Sequence, residues 1–82
     1  MNTKWIRTPD MTIQYSEREE RVEIGTYHLS KSDARRLLTE RGGTIKDIIS
    51  EEVYLFSNKD LTVTLGDGLR LPYEQLRRCL DE

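Results

Sequence analysis

The segment that decides the fold class is residues 61–82, LTVTLGDGLRLPYEQLRRCLDE. Within residues 61–65, apolar side chains alternate with threonines, which is the period of a strand with one buried face. Gly66–Gly68 has turn composition, and Leu69–Leu71 returns to the strand pattern. This segment therefore predicts two antiparallel strands joined by a short turn.

A helix is predicted to follow these strands directly. Pro72 suits the first turn of a helix, where a missing backbone N–H costs nothing. The inward stripe of this helix comprises Tyr73, Leu76 and Leu80, with Cys79 beside it. Strands closed by an amphipathic helix indicate an α+β domain.

Upstream of this segment, Val53–Phe56 forms a continuous apolar run of strand composition, which predicts a strand buried on both faces. Ser57–Asp60 has turn chemistry. Residues 44–52 fit either a short helix or an irregular strand, and the pattern does not choose between them.

The first helix has the clearest predicted boundaries. Ser30 is the predicted N-cap, with Asp33 as a weaker capping partner. We expect the helix to end at Gly42–Gly43, because a left-handed residue is often needed there. Its apolar stripe consists of Ala34, Leu37 and Leu38.

Residues 11–29 predict an antiparallel hairpin. Apolar residues alternate over 11–15, and the polar residues 16–20 form the connection. In the second strand the apolar phase changes at Gly25, for which a β-bulge is our interpretation.

Together these elements predict an α+β fold: a small, mostly antiparallel sheet with two helices packed on one face, in the order ββα-β(β)β-α. We expect one domain over residues 1–82, with residues 1–10 loosely ordered and Thr8–Asp10 forming a turn. The sequence gives no sign of an internal repeat.

Composition narrows the functional classes. The chain has 82 residues, 35% hydrophobic and 34% charged, with a formal net charge of −2. This near balance argues against a domain whose main task is to bind phosphate backbones. With a single cysteine, the chain can form neither an internal disulfide nor a cysteine zinc site, which favours a reducing cytoplasm. Since no apolar run approaches the length of a membrane helix, we expect no membrane partner.

We expect no enzymatic activity, metal or cofactor. His28 is the only histidine, and a general base or metal site needs partner residues that the sequence does not indicate. Cys79 lies in an amphipathic helix, where a packing role is favoured over a nucleophilic one.

Charged surface residues give the candidate interaction sites. An acidic hairpin carries Glu17, Glu19, Glu20 and Glu23, and the first helix carries Arg35 and Arg36 on an outer basic face. These six residues are the predicted partner-binding residues, the hairpin being suited to a basic partner.

The favoured function is a small protein-binding module that occupies a surface of a larger protein or nucleoprotein complex. Its size and mixed charge are those of many accessory or inhibitor proteins of phages and mobile elements. One alternative is a nucleic-acid-binding regulator that uses the basic face of the first helix. Another is a small-ligand-sequestering homo-oligomer, and a homodimer formed by strand pairing is an available assembly.

Overall fold

The computed structural model describes residues 3–7 and 11–81. The elements follow the order β1 Thr3–Arg7, β2 Thr12–Ser16, β3 Arg21–Ile24, β4 Tyr27–Ser30, α1 Lys31–Thr39, β5 Gly42–Lys46, β6 Val53–Lys59, β7 Thr62–Leu65, β8 Leu69–Pro72 and α2 Tyr73–Asp81. The predicted antiparallel α+β class with two helices is confirmed. The predicted turn at Thr8–Asp10 lies outside the described residues.

The strands divide into two four-stranded antiparallel sheets, β1-β2-β3-β4 and β5-β6-β7-β8. Two strands were not predicted as such, because their apolar alternation is weak. Residues 1–10 were expected to be loosely ordered, but residues 3–7 form β1 and pair with β2, with Trp5 exposed. In β5, Ile45 is the one buried residue among five. Residues 44–52 prove to be the end of this strand followed by a turn.

The phase change at Gly25 has a cause other than the predicted bulge. Ile24 and Tyr27 are paired across β3 and β4, so Gly25 and Thr26 form a two-residue turn. Gly25 has a φ of 60°, which glycine adopts without the steric cost of a side chain. The predicted single strand is therefore two strands.

Helix α1 begins as predicted and ends earlier than predicted. The Asp33 backbone N–H donates to Ser30 Oγ at 3.2 Å, which confirms Ser30 as the N-cap. The helix ends at Thr39, with Glu40 as an extended C-cap, and Gly42 and Gly43 belong to β5. A Cβ at Gly43 would lie 3.3 Å from the Phe56 ring, so this glycine allows a close approach.

The chain consists of two ββββα halves with matching hydrogen bonds. The first residue of each helix donates its N–H to the β-turn residue before the third strand: Lys31 to the Glu20 carbonyl at 2.8 Å and Tyr73 to the Leu61 carbonyl at 2.9 Å. Both acceptors have positive φ, 51° at Glu20 and 62° at Leu61. The sequence did not predict this repeat, because the two halves share their backbone geometry but have few identical residues at equivalent positions outside the helices.

Both helices contribute to one core together with the inner faces of both sheets. Helix α1 contacts β3 and β4 of its own half and β5 and β6 of the other, while α2 contacts β1, β2 and β8. Asn58 of β6 closes the end of α1, because its side-chain amide donates to the carbonyls of Leu37 at 2.9 Å and Leu38 at 3.2 Å. Each sheet therefore has one face on the shared core and an opposite, outer face.

Candidate interaction surfaces

The predicted acidic hairpin is the turn between β2 and β3, and its charges are partly paired. Arg21 lies 3.0 Å from a Glu19 oxygen and 3.5 Å from a Glu23 oxygen. Glu17, Glu19 and Glu20 are exposed. Because the Glu20 carbonyl accepts the N–H of Lys31, this turn is held against the start of α1.

The two predicted arginines of α1 have different surroundings. Arg36 donates to Glu40 at 3.1 Å and to Asp33 at 3.3 Å, and its guanidinium lies 5.6 Å from the Phe56 ring centroid. The hydrogen bonds to Glu40 raise the pKa of Arg36. Arg35 is exposed, so it alone of this pair is available on the outer face of the helix.

An open depression of about 300 Å³ brings two of the six predicted residues together. Its lining residues are Glu20, Ser30, Lys31, Ser32 and Arg35. Since it contains a carboxylate beside two cations, its charge does not select a ligand of either sign.

His28 has a structural role in closing an edge of the first sheet. Its backbone N–H donates to Asp47 Oδ2 at 2.9 Å, and its carbonyl accepts the N–H of Ile48 at 2.9 Å. Its ring lies between two carboxylates, with Nδ1 3.4 Å from Asp47 and Nε2 3.7 Å from Glu23. No nucleophile contacts this ring among the described residues.

Asp47 was not singled out from the sequence, yet among the described residues it is the one polar or charged residue that is buried. Burial raises the pKa of Asp47, but hydrogen bonds from the N–H groups of Ser50, His28 and Ile49, and from the His28 ring, lower it to about 2. The carboxylate therefore organises the β5–β6 turn and links it to β4. An aspartate whose side chain accepts the backbone N–H of the residue two positions later is a common turn motif. This motif could have indicated the role of Asp47 from the sequence.

Cys79 is buried in the core. Burial raises the pKa of its thiol, and the nearby Lys4 ammonium offsets part of that rise. A buried neutral thiol is a weak nucleophile.

The outer face of the second sheet is the most distinctive surface of the molecule. Phe56, Val63, Leu65 and Leu71 of this sheet are buried, so the alternate residues project outward. We call this the second-sheet face and define it by Thr44, Lys46, Val53, Leu55, Ser57, Lys59, Thr62, Thr64 and Arg70.

Two exposed aliphatic side chains lie within the second-sheet face. Val53 is 64% exposed and Leu55 is 71% exposed, so the predicted burial of this strand on both faces is wrong. The strand register places Val53 opposite Lys46 and Leu55 opposite Thr44. Lys59, at the end of β6, and Arg70, on β8, extend this face away from Val53 and Lys46.

None of the nine described residues that define the second-sheet face is acidic, although the chain contains 15 acidic and 13 basic residues. Four exposed carboxylates lie in the connections at its ends: Glu51, Glu52, Asp60 and Asp67. A second depression, of about 470 Å³, adjoins the face and is lined by Arg41, Ser57, Asn58, Lys59 and Asp60.

The corresponding face of the first sheet has a different chemistry. In the repeat, Glu23 occupies the position of Thr64 and His28 that of Arg70, as the pairing within each sheet shows. That face also carries Trp5, which is 59% exposed. The two halves therefore share a scaffold, while only the second sheet presents cations without acidic groups.

Comparison with protein-family models, with curated proteins and with solved structures finds no match for this chain. Among the described residues, neither helix is long and apolar enough to span a membrane. The same residues contain no group of three or more histidine, cysteine or acidic side chains arranged to hold a metal ion.

Proposed function

We propose that this protein is a non-enzymatic binding module that docks on a larger protein through the second-sheet face. The observation that carries the proposal is an exposed, antiparallel sheet face with an aliphatic pair beside three cations and no carboxylate. Protein interfaces commonly have an apolar centre and a polar rim. In this proposal Val53 and Leu55 form the apolar centre.

The partner we infer is a protein surface with acidic groups around an apolar patch. Charge complementarity favours an acidic partner, since Lys46, Lys59 and Arg70 are not balanced by a carboxylate on the same face. The predicted hairpin residues form a second charged surface, but the pairing of Glu19 and Glu23 with Arg21 reduces the charge that is free to attract a partner.

Nucleic acid is the competing partner class for the same cations. Sequence-tolerant binding of single strands usually combines a cationic groove with aromatic rings on which bases stack. The second-sheet face contains cations and hydroxyl groups but no aromatic ring. This composition favours a protein partner.

We also propose a reducing compartment, in line with a cytoplasmic accessory or inhibitor protein of phage or mobile-element character. The supporting feature is that the single cysteine is buried and has no disulfide partner in the chain.

A matched pair of exposed leucines provides the first test. Leu55, in the second-sheet face, and Leu61, in the β6–β7 turn, are 71% and 74% exposed. Each position is replaced by a photo-crosslinking benzoylphenylalanine, and the protein is irradiated in a lysate of its source cells. We expect a stoichiometric protein adduct from position 55 and little from position 61. Equal adducts from both positions would contradict the proposed surface.

Charge-reversal variants give the second test, with and without nuclease. We expect Lys46→Glu/Lys59→Glu/Arg70→Glu to abolish affinity capture of the partner, and Glu19→Lys/Glu20→Lys to leave it within a few-fold. The reverse pattern would assign docking to the hairpin. Capture that disappears on nuclease treatment would assign the face to nucleic acid.

A further inference from the structure

We propose that the open edge of β5 pairs with the same edge of a second copy of this chain, antiparallel about a two-fold axis at Thr44. The pairing would join two second sheets into one eight-stranded sheet. This inference is independent of the proposed function, since it uses the backbone edge of β5 and not the outer side chains.

The hydrogen-bond phase of β5 shows which backbone groups point outward. The Asn58 N–H donates to the Arg41 carbonyl and the Asp47 N–H donates to the Glu52 carbonyl, both at 2.8 Å. In an antiparallel pair, alternate residues point their backbone groups toward the neighbouring strand. Odd-numbered residues of β5 therefore face β6, and Gly42, Thr44 and Lys46 turn their N–H and C=O groups away from it.

This edge is open among the described residues. In the strand order β5 is terminal and pairs with β6 alone. Gly42, Gly43, Thr44 and Lys46 are all exposed. The strand has no proline, and Lys46 is its one charged residue. Open edges with unpaired N–H and C=O groups are templates for strand addition.

The β4 edge of the first sheet, in contrast to the β5 edge, is covered by another part of the chain. At β4 the outward backbone groups of His28 are occupied by Asp47 and Ile48 of the β5–β6 turn. The β5–β6 turn therefore covers the β4 edge of the first sheet. The strand that precedes this turn, β5, leaves its own edge of the second sheet open.

A two-fold register centred on Thr44 is self-complementary. It pairs all three outward-facing residues: Thr44 with Thr44 of the second copy, and Gly42 with Lys46 of the second copy. Each such pair exchanges two N–H···O bonds. A cross-strand threonine pair is favourable, and no like charges lie directly opposite.

Charge repulsion does not prevent this register. The two Lys46 residues are offset by four residues along the strands, on the order of 13 Å. This separation exceeds the Debye length of about 8 Å at physiological ionic strength. A register centred on Lys46 would place like charges face to face. One centred on Gly42 would pair neither Thr44 nor Lys46 with a residue of β5, so Thr44 is the favoured centre.

Sedimentation equilibrium over a concentration series from ~5 to ~500 μM tests the proposal, because a dimer must depend on concentration. We expect Thr44→Pro to be monomeric, since proline removes an N–H that points outward and contributes nothing to the β5–β6 ladder. Thr44→Val, which keeps that N–H, should still dimerise. A monomeric wild type, or equal dimerisation of both variants, would overturn the proposal.

Amide hydrogen exchange of the wild-type protein gives an answer even if Thr44→Pro does not fold. We expect the exchange of Thr44 and Lys46 to slow about tenfold or more at high protein concentration, because dimerisation protects their N–H groups. Gly43 and Ile45, which face β6, should change little. Outward amides that exchange equally fast at both concentrations would refute the pairing.

Discussion

Replacing Asp47 with asparagine should remove a pH-dependent part of the stability. Asp47 is 3% exposed and accepts hydrogen bonds from the N–H groups of His28 at 2.9 Å, Ile49 at 2.8 Å and Ser50 at 3.0 Å. An asparagine has one carbonyl oxygen where the carboxylate has two acceptors. The amide group would then face an N–H group that needs an acceptor.

The magnitude follows from the lowered pKa. The pKa of Asp47 falls from an ordinary 3.8 to about 2, chiefly through backbone hydrogen bonds that outweigh the opposing effect of burial. At about 1.36 kcal/mol per pKa unit, this corresponds to about 2–3 kcal/mol of folding free energy. Because the folded-state pKa is the lower one, this contribution is fully present above about pH 5 and is lost as the pH falls to about 2.

The assay is urea denaturation of wild type and Asp47→Asn at a series of pH values between 7 and 2. We expect a difference in unfolding free energy of about 2–3 kcal/mol at pH 7 that shrinks toward zero near pH 2. Asp67→Asn, at an exposed turn, is the matched control and should change stability by less than about 0.5 kcal/mol. A difference that is independent of pH would refute the assigned role of the carboxylate.

Three further substitutions test the packing, the turn and the helix end by urea denaturation. Leu76→Ala should cost about 2–5 kcal/mol, because the side chain is fully buried in the shared core; a loss below about 1 kcal/mol would contradict that burial. Leu61→Asn should stabilise by about 1 kcal/mol, since Leu61 is exposed at a φ of 62°, where asparagine is better tolerated; a loss of stability would count against this. Asn58→Ala should cost about 1–2 kcal/mol by leaving two carbonyls of α1 without their donor, and Asn58→Gln, whose amide is displaced, should not restore it.

The two halves of the repeat have the same backbone conformation at equivalent turns but different side chains on their outer faces. Paired turn residues, Gly25 with Gly66 and Glu20 with Leu61, keep the same backbone conformation in both halves. Side chains on the outer faces do not follow the repeat, because they contact solvent and are not constrained by the core. The cation-rich chemistry of the second-sheet face therefore distinguishes it from the face of the first sheet.

Local chemistry in the sequence was enough to determine several elements. The N-cap at Ser30 depends on a hydrogen bond from the N–H of Asp33, only three residues later. The alternation of apolar and polar residues over 61–65 directly indicates a strand with one buried face. The closing helix was predicted for the same reason, since the stripe with Leu76 has the helical period. Pro72, predicted for its first turn, is instead the last residue of β8. In each case the interacting groups lie within one turn of helix or one strand.

Only the tertiary structure decided the rest. The division into two sheets and the strand assignment of Gly42–Lys46 depend on pairing with β6, which a segment with a single buried residue does not reveal. Lys46, Lys59 and Arg70 lie on three different strands, so their common face exists only once the strand register is fixed. The sequence determined which segments could become strands and helices, because propensity and period are local. The sheets, the open edge and the candidate docking face required tertiary structure, because hydrogen bonds between strands bring together residues that are distant along the chain.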